Sequence, residues 1–267
     1  MKKLMKLFAL MMAVMMLLGS VAMAETDLEY VKAKGKLVVG ITIYEPMNYY
    51  DDAGKLTGFD TEFAEAVCAK LGLEPEFVEI NWDTKEIELN AKSIDCIWNG
   101  MTITEDRAAN MSISLPYVKN AQVIVVKADS TVASTADLVD ATLVAEIGSA
   151  GEAQIEGEDA NADLAQAEYV GMTKQTDCLM EVKAGTADAA VLDWTLAKSM
   201  VGEGTDFADL KMVEGVELAT EEYGIAFRQG SDFTEKVDAA IKDLVADGTL
   251  PALAEQYGLA LAPSITG

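Results

Sequence analysis

Arginine is scarce in this sequence. Beyond residue 24 the chain has 17 basic residues, and only Arg107 and Arg228 are arginines. Arg107 ends the run Asn99-Gly100-Met101-Thr102-Ile103-Thr104-Glu105-Asp106-Arg107. Thr104 suits a helix N-cap with Glu105 and Asp106 in the first turn. A guanidinium one turn further on presents a planar fork that matches a carboxylate. Gly100 lets a ligand approach the backbone closely, and Thr102 offers a hydroxyl and an N–H. On spacing alone Arg107 fits a surface ion pair equally well. Asp193 closes the apolar run Ala189 to Leu192 and precedes Trp194. It either caps the following helix or, facing a cleft, accepts from an ammonium. The turn Gly148-Ser149-Ala150-Gly151 follows a strand and opens a helix, where backbone N–H groups can hold an anion. Tyr44 and Trp82 fall beyond the carboxyl ends of strands, where aromatic faces clamp a ligand side chain. Trp98 alternates into a strand and belongs to the core; Tyr49 and Tyr50 fit either role. Together these groups suit a zwitterion.

The elements that must position them alternate. Strands are expected at Lys36–Ile43, Glu76–Ile80, Ile94–Trp98, Val123–Val126, Thr142–Glu146, Ala189–Leu192 and Tyr223–Phe227. Helices fit Asp83–Ala91, Ser149–Ile155, Thr173–Lys183 and Trp194–Met200. Phe59, Phe63, Val67 and Leu71 mark another at helical spacing, as do Phe233, Val237, Ile241 and Leu244 before Gly248. Asp60, at the start of its helix, is expected to cap it. This alternation argues for an α/β fold with mostly parallel sheets. One unit occurs twice: Glu88, Asp95 and Gly100 correspond to Glu181, Asp188 and Asp193 at a constant offset of 93 residues. Each copy is a helix end, a turn, an Asp and a short buried strand, which implies two similar lobes. Open α/β sheets bind ligands beyond the carboxyl ends of their strands, so Gly100 and Asp193 are expected to face one another across a cleft.

Composition narrows the chemistry. The formal net charge of −25 excludes a nucleic-acid surface, which needs clustered Lys and Arg. The chain has no histidine, which removes His-based triads and His metal ligands. Lys2, Lys3 and Lys6, an apolar run from Leu7 to Leu18 and Ala22-Met23-Ala24 read as a cleaved signal peptide over residues 1–24. With no cysteine near the cut, a lipid anchor is not expected. Cys68, Cys96 and Cys178 lie in apolar stretches and read as buried thiols, although one disulfide among them stays open.

Gly58-Phe59-Asp60, Ile94-Asp95, Gly100-Met101-Thr102-Ile103-Thr104 with Arg107, Pro116-Tyr117, Gly148-Ser149, Gly185 with Asp188 and Asp193, Tyr223-Gly224-Ile225-Ala226 and Asp247-Gly248-Thr249 follow one another in this order. In this pattern residues 36–258 resemble the extracytoplasmic polar-amino-acid-binding proteins of ABC importers. The resemblance implies a two-lobed periplasmic-binding-protein fold with a two-strand hinge. Lobe 1 would span 36–118 and 221–258, and lobe 2 would span 122–217. Arg107 and Thr102 would hold the ligand α-carboxylate and Asp193 its α-ammonium. Asn99, Gly100 and Ser149 would complete the shell, and Tyr44 and Trp82 would be the aromatics. The implied protein is an exported monomer that closes on an amino acid for membrane permease subunits, with no catalytic residue, cofactor, metal or nucleic acid. Basic-amino-acid binders of this group carry an acid just before the first aromatic. Ile41-Thr42-Ile43 stands there instead, which counts against a lysine- or arginine-type ligand. A cyclohexadienyl-dehydratase-like enzyme and a sensory module for a membrane receptor share the fold and remain alternatives.

Overall fold

The computed structural model describes residues 25–266; the expected signal peptide lies outside the described residues. Helix α1 (Asp27–Lys34) opens with a reciprocal cap between Thr26 and Glu29. Strand β1 (Lys36–Ile41) follows and is buried at every residue but its first. Such a continuous apolar run fits a parallel strand covered on both faces. A hairpin of β2 (Tyr49–Tyr50) and β3 (Leu56–Thr57) leads into α2 (Phe59–Leu71) and β4 (Glu74–Glu79). Next come α3 (Lys85–Asn90), β5 (Cys96–Thr102), α4 (Glu105–Asn110), β6 (Met111–Ile113) and β7 (Val118–Lys127). The middle of the chain supplies β8 (Thr142–Glu146), α5 (Ala150–Glu156), β9 (Glu168–Met172), α6 (Gln175–Ala184), β10 (Ala189–Asp193) and α7 (Trp194–Met200). It ends with β11 (Leu210–Arg228), α8 (Phe233–Ala246), α9 (Thr249–Gln256) and α10 (Pro263–Thr266).

Nine of these strands form one curled sheet in the order β4-β1-β5-β11-β7-β10-β8-β9, with β6 beside β11. Its two ends are parallel: β4-β1-β5 in one lobe and β10-β8-β9 in the other. The long antiparallel pair β7 and β11 joins them. The expected two-lobed α/β fold with a two-strand hinge is therefore present. The lobes are not closed sheets of their own, because the hinge pair is the centre of a common sheet.

The duplicated unit has a physical counterpart. The Asp95 carboxylate accepts from Val38 N–H on β1 at 2.8 Å, and the Asp188 carboxylate accepts from Thr142 N–H on β8 at 2.8 Å. Each Asp thus pins its own strand to the strand beside it.

Phe63 meets Trp98 edge-on with ring centroids 4.9 Å apart, so Trp98 is core as expected. Burying each ring contributes about 1.5–3 kcal/mol. Helix α8 buries Phe233, Val237, Ile241 and Leu244 along one stripe. Asp60 departs from expectation. It makes no cap bond; it is fully buried and accepts from Gly100 N–H at 2.7 Å and Tyr117 hydroxyl at 2.9 Å. Burial raises its carboxyl to about 7, partly offset by those bonds. Cys68, Cys96 and Cys178 are free and buried.

Candidate functional site

The carboxyl ends of β5 and β10 meet from opposite lobes around one cavity. Its walls include all eight residues singled out in the sequence: Tyr44, Trp82, Asn99, Gly100, Thr102 and Arg107 from one lobe, Ser149 and Asp193 from the other. Glu146, Ala150 and Gln175 complete it. The cavity holds about 10 Å3, room for about one water.

Arg107 is placed by α4. Thr104 caps that helix by accepting from Arg107 N–H at 3.2 Å. Arg107 is only 8% exposed, and its guanidinium donates to Thr102 carbonyl at 2.8 Å and to Gly148 carbonyl at 3.0 Å. Among the described residues no carboxylate lies within 4.0 Å of it. The surface-ion-pair reading therefore fails. Burial lowers its pKa; the negative charges of Glu221 and Asp193 act in the opposite direction.

Asp193 does not cap α7 with its side chain. Its carboxylate instead accepts from Asn120 at 2.6 Å, from Gln122 at 2.7 Å and from the Gln175 amide. Asn120 and Gln122 are two apart on β7, so both side chains leave the same face of the strand. The same two amides also donate to Glu221 on β11. Glu221 accepts from the Thr102 hydroxyl at 2.9 Å as well. Burial, then the negative Asp193, pushes Glu221 up to about 7.

The other predicted residues are placed unevenly. Gly100 takes φ +56°, and a Cβ there would stand 2.6 Å from the Tyr44 ring. Tyr44 hydroxyl bonds Thr195 and Tyr223 hydroxyls, which ties the first aromatic to the opposite lobe. Trp82 is 5% exposed and lies under the Lys85 ammonium, 4.9 Å from its ring centroid. Asn99 lines the wall, but its amide is committed to Thr42 and Asn48. Ser149 caps α5 by accepting from Glu152 N–H at 3.1 Å. The anion site expected at this helix start is partly occupied from within. Glu152 carboxylate accepts from Gly148 N–H at 2.7 Å. Tyr50 is 51% exposed and lies away from the cavity, as does Tyr49.

Two wall residues escaped the sequence reading. Gln175 begins α6 and positions Asp193 by donating to its carboxylate and accepting from its N–H at 3.0 Å. Glu146 ends β8 and is 4% exposed. A charged residue closing the apolar strand TLVAE just before Gly148-Ser149 was the available signal. Burial, then Asp193, raises its carboxyl to about 8, while Lys85 and Gln175 act in the opposite direction. Lys85 is itself lowered to about 8 by burial and by Arg107, and its ammonium donates to Trp82 and Gly148 carbonyls at 3.0 Å each.

Outside the cavity the cleft opens into a groove of about 1050 Å3. Glu86, Glu105 and Asp106 edge it on one side and Glu152, Glu156, Glu158 and Asp159 on the other. Among the described residues its only bases are Lys85 and Arg107, both buried. Among the described residues no helix is long and apolar enough to cross a membrane.

The family of bacterial extracellular solute-binding proteins, family 3, matches residues 37–260. The chain is 31% identical over 234 residues to the L-cystine-binding protein TcyJ of Escherichia coli strain K12, covering 86% of this chain and 85% of that protein. Among solved structures it is similar to a Gly52Ala mutant of arginine-bound ArgBP from T. maritima. That match has 34% identity and a TM-score of 0.73 and covers 81% and 99% of the two chains. It is also similar to the ancestral amino acid-binding protein AncCDT-1, a precursor of cyclohexadienyl dehydratase. Here identity is 29% and the TM-score 0.77, with coverage of 87% and 99%.

Proposed function

The chain belongs to the bacterial extracellular solute-binding proteins, family 3, and from that premise we propose that it binds a free amino acid between its lobes and delivers it to an ABC importer. The supporting observation is the convergence of Arg107 and Asp193, one from each lobe, on a single closed cavity. Arg107, with Thr102, takes the α-carboxylate through its planar fork. Asp193 takes the α-ammonium, with its carboxylate already aimed by three amides. Tyr44 and Trp82 flank the side chain, and Gly100 and Ser149 meet the ligand with backbone and hydroxyl groups. Asn99 acts as a strut.

Lobe 1 comprises residues 36–118 and 221–258, lobe 2 residues 122–217, and β7 and β11 carry the hinge. A ligand that grips both lobes binds the closed form better, and that difference drives closure. The protein works as an exported monomer, released from its signal peptide after Ala24, and the permease subunits read the closed form. It is a binder rather than an enzyme, which the name of its cystine-binding relative supports.

A thermal-shift screen of residues 25–267 against the amino acids tests this reading, because a ligand bound only to the folded state raises Tm with concentration. At least one amino acid should raise Tm. A flat screen, or turnover of prephenate or arogenate, would refute it.

A further inference from the structure

We propose that Glu146 is the specificity-determining acid of this cleft, and that it selects a ligand whose side chain carries a cationic nitrogen. This rests on the reading of the cavity as an amino-acid site.

Glu146 ends β8 on the lobe opposite Trp82 and Arg107, and its side chain lines the cavity. Its Oε1 is buried and has no hydrogen-bond partner among the described residues. A buried carboxylate oxygen without a partner is costly, and it persists where a ligand supplies the missing donor. The neighbouring groups do not meet that need: the Gln175 side chain favours the ionised form of Glu146, but its amide donates to Asp193. Asp193 repels it, and so does Asp177 on α6. Lys85 attracts it, yet the Lys85 ammonium donates to two backbone carbonyls.

The head group of an amino acid does not account for Glu146 either. Arg107 answers the α-carboxylate and Asp193 the α-ammonium, which leaves Glu146 for what lies beyond the α-carbon. Charge points the same way. Burial and Asp193 hold the Glu146 carboxyl in its protonated form, and a zwitterionic head brings no charge to its side of the cavity that would favour the ionised one. A cationic nitrogen on the ligand beside Glu146 would favour its ionised form and supply a donor to the unpartnered Oε1. Ahead of Tyr44, where the basic-amino-acid binders carry an acid, stands Ile41-Thr42-Ile43; Glu146 takes that part from the other lobe.

Two sources carry a second cationic nitrogen: a basic side chain, or the second amino group of cystine, a net-neutral ligand whose second carboxylate would lie away from Glu146. Calorimetry on the wild-type protein and on Glu146→Gln, with L-arginine, L-lysine, L-cystine, L-citrulline and L-glutamine, tests the proposal. Citrulline has nearly the shape of arginine without its charge. Wild type should bind at least one of arginine, lysine and cystine at least 10-fold tighter than citrulline and glutamine, and Glu146→Gln should bring that ratio close to one. Preference for arginine or lysine assigns the nitrogen to a basic side chain, and preference for cystine assigns it to the second amino group. The wild-type ratio stands even if the variant misfolds. Tighter binding by wild type of an amino acid that lacks a second cationic nitrogen overturns this proposal while leaving the amino-acid site intact. So does a variant that folds and keeps the wild-type ratio. If none of the twenty amino acids nor cystine binds, the site reading itself fails and this proposal with it.

Discussion

Asp193 and Glu221 accept hydrogen bonds from the same two side-chain amides, those of Asn120 and Gln122. The acids come from the strands on either side of β7, and the amides come from β7 itself. Because β7 and β11 connect the lobes, the group assigned to the ligand ammonium is bonded directly to the hinge. Replacing Asp193 with Asn keeps size and a carbonyl acceptor but removes the charge that meets an ammonium and repels Glu221. Asp193→Asn should bind its amino acid more weakly and close less fully at saturating ligand. Small-angle scattering beside wild type checks this; compaction equal to wild type with undiminished affinity would refute it.

Arg107→Lys keeps the charge but loses the fork. The guanidinium is buried and bonded to carbonyls from both lobes, and a single ammonium cannot hold both and a carboxylate. Binding should weaken by about 2–4 kcal/mol, the range for truncating a buried hydrogen-bonded charge. Calorimetry with the ligand found by the screen measures it; an unchanged affinity would remove Arg107 from the site.

Gly100→Ala tests the aromatic wall. At φ +56°, with a Cβ 2.6 Å from the Tyr44 ring and 3.1 Å from the Tyr223 ring, the new methyl forces Tyr44 away from its bonds to Thr195 and Tyr223. We expect a loss of about 1–3 kcal/mol in stability, as for other overpacked sites, and weaker binding. Urea unfolding of the ligand-free variant reads the first; a stability equal to wild type would mean the ring has room to move.

Acid titration should run opposite to the common case. Asp60 at about 7, Glu221 at about 7 and Glu146 at about 8 all lie above ordinary carboxylate values. The folded protein therefore holds protons that the unfolded chain releases above pH 4–5. The stabilising contribution is fully present below that range and is lost as pH rises through 7 to 8. Tm of the ligand-free protein should fall between pH 5 and pH 8, and Asp60→Asn should flatten the slope. A Tm that rises across this interval would contradict the placement of these acids.

The same carboxyl group predicts a pH effect on binding. A cationic side chain favours ionised Glu146, so complex formation below about pH 8 expels a proton. Affinity for that ligand should rise from pH 6 to pH 8 and depend on the ionisation enthalpy of the buffer. Glu146→Gln should remove both effects. Buffer-independent calorimetric heats in wild type would count against it.

Much of this is legible in the sequence, and the failures have causes. Thr142–Glu146 and Trp194–Met200 have the limits that periodicity assigns, because short apolar runs between turns leave few alternatives. β11 is legible only over Tyr223–Phe227, since its earlier half, LKMVEGVELATEE, is rich in acids. β9 lies at the sheet edge, and its exposed and half-buried residues give no alternating signal. Asp60 reads as a cap because the contacts that bury it, Gly100 and Tyr117, are 40 and 57 residues away. Arg107 and Asp193 stay ambiguous for the same reason: linear spacing does not show that the two lobes bring them to one cavity. The duplication is visible, but its asymmetry is not. Asp95 is buried and paired with Lys34, while Asp188 is exposed.

The seven carboxylates edging the cleft groove act before any contact forms. With so few bases nearby, they draw cations from solution and hold anions off over about 10 Å at ordinary ionic strength. Part of the discrimination between amino acids should therefore be kinetic. A positively charged ligand should arrive faster as salt is lowered and an acidic one more slowly, so that sorting begins at the diffusive encounter rather than at the fit.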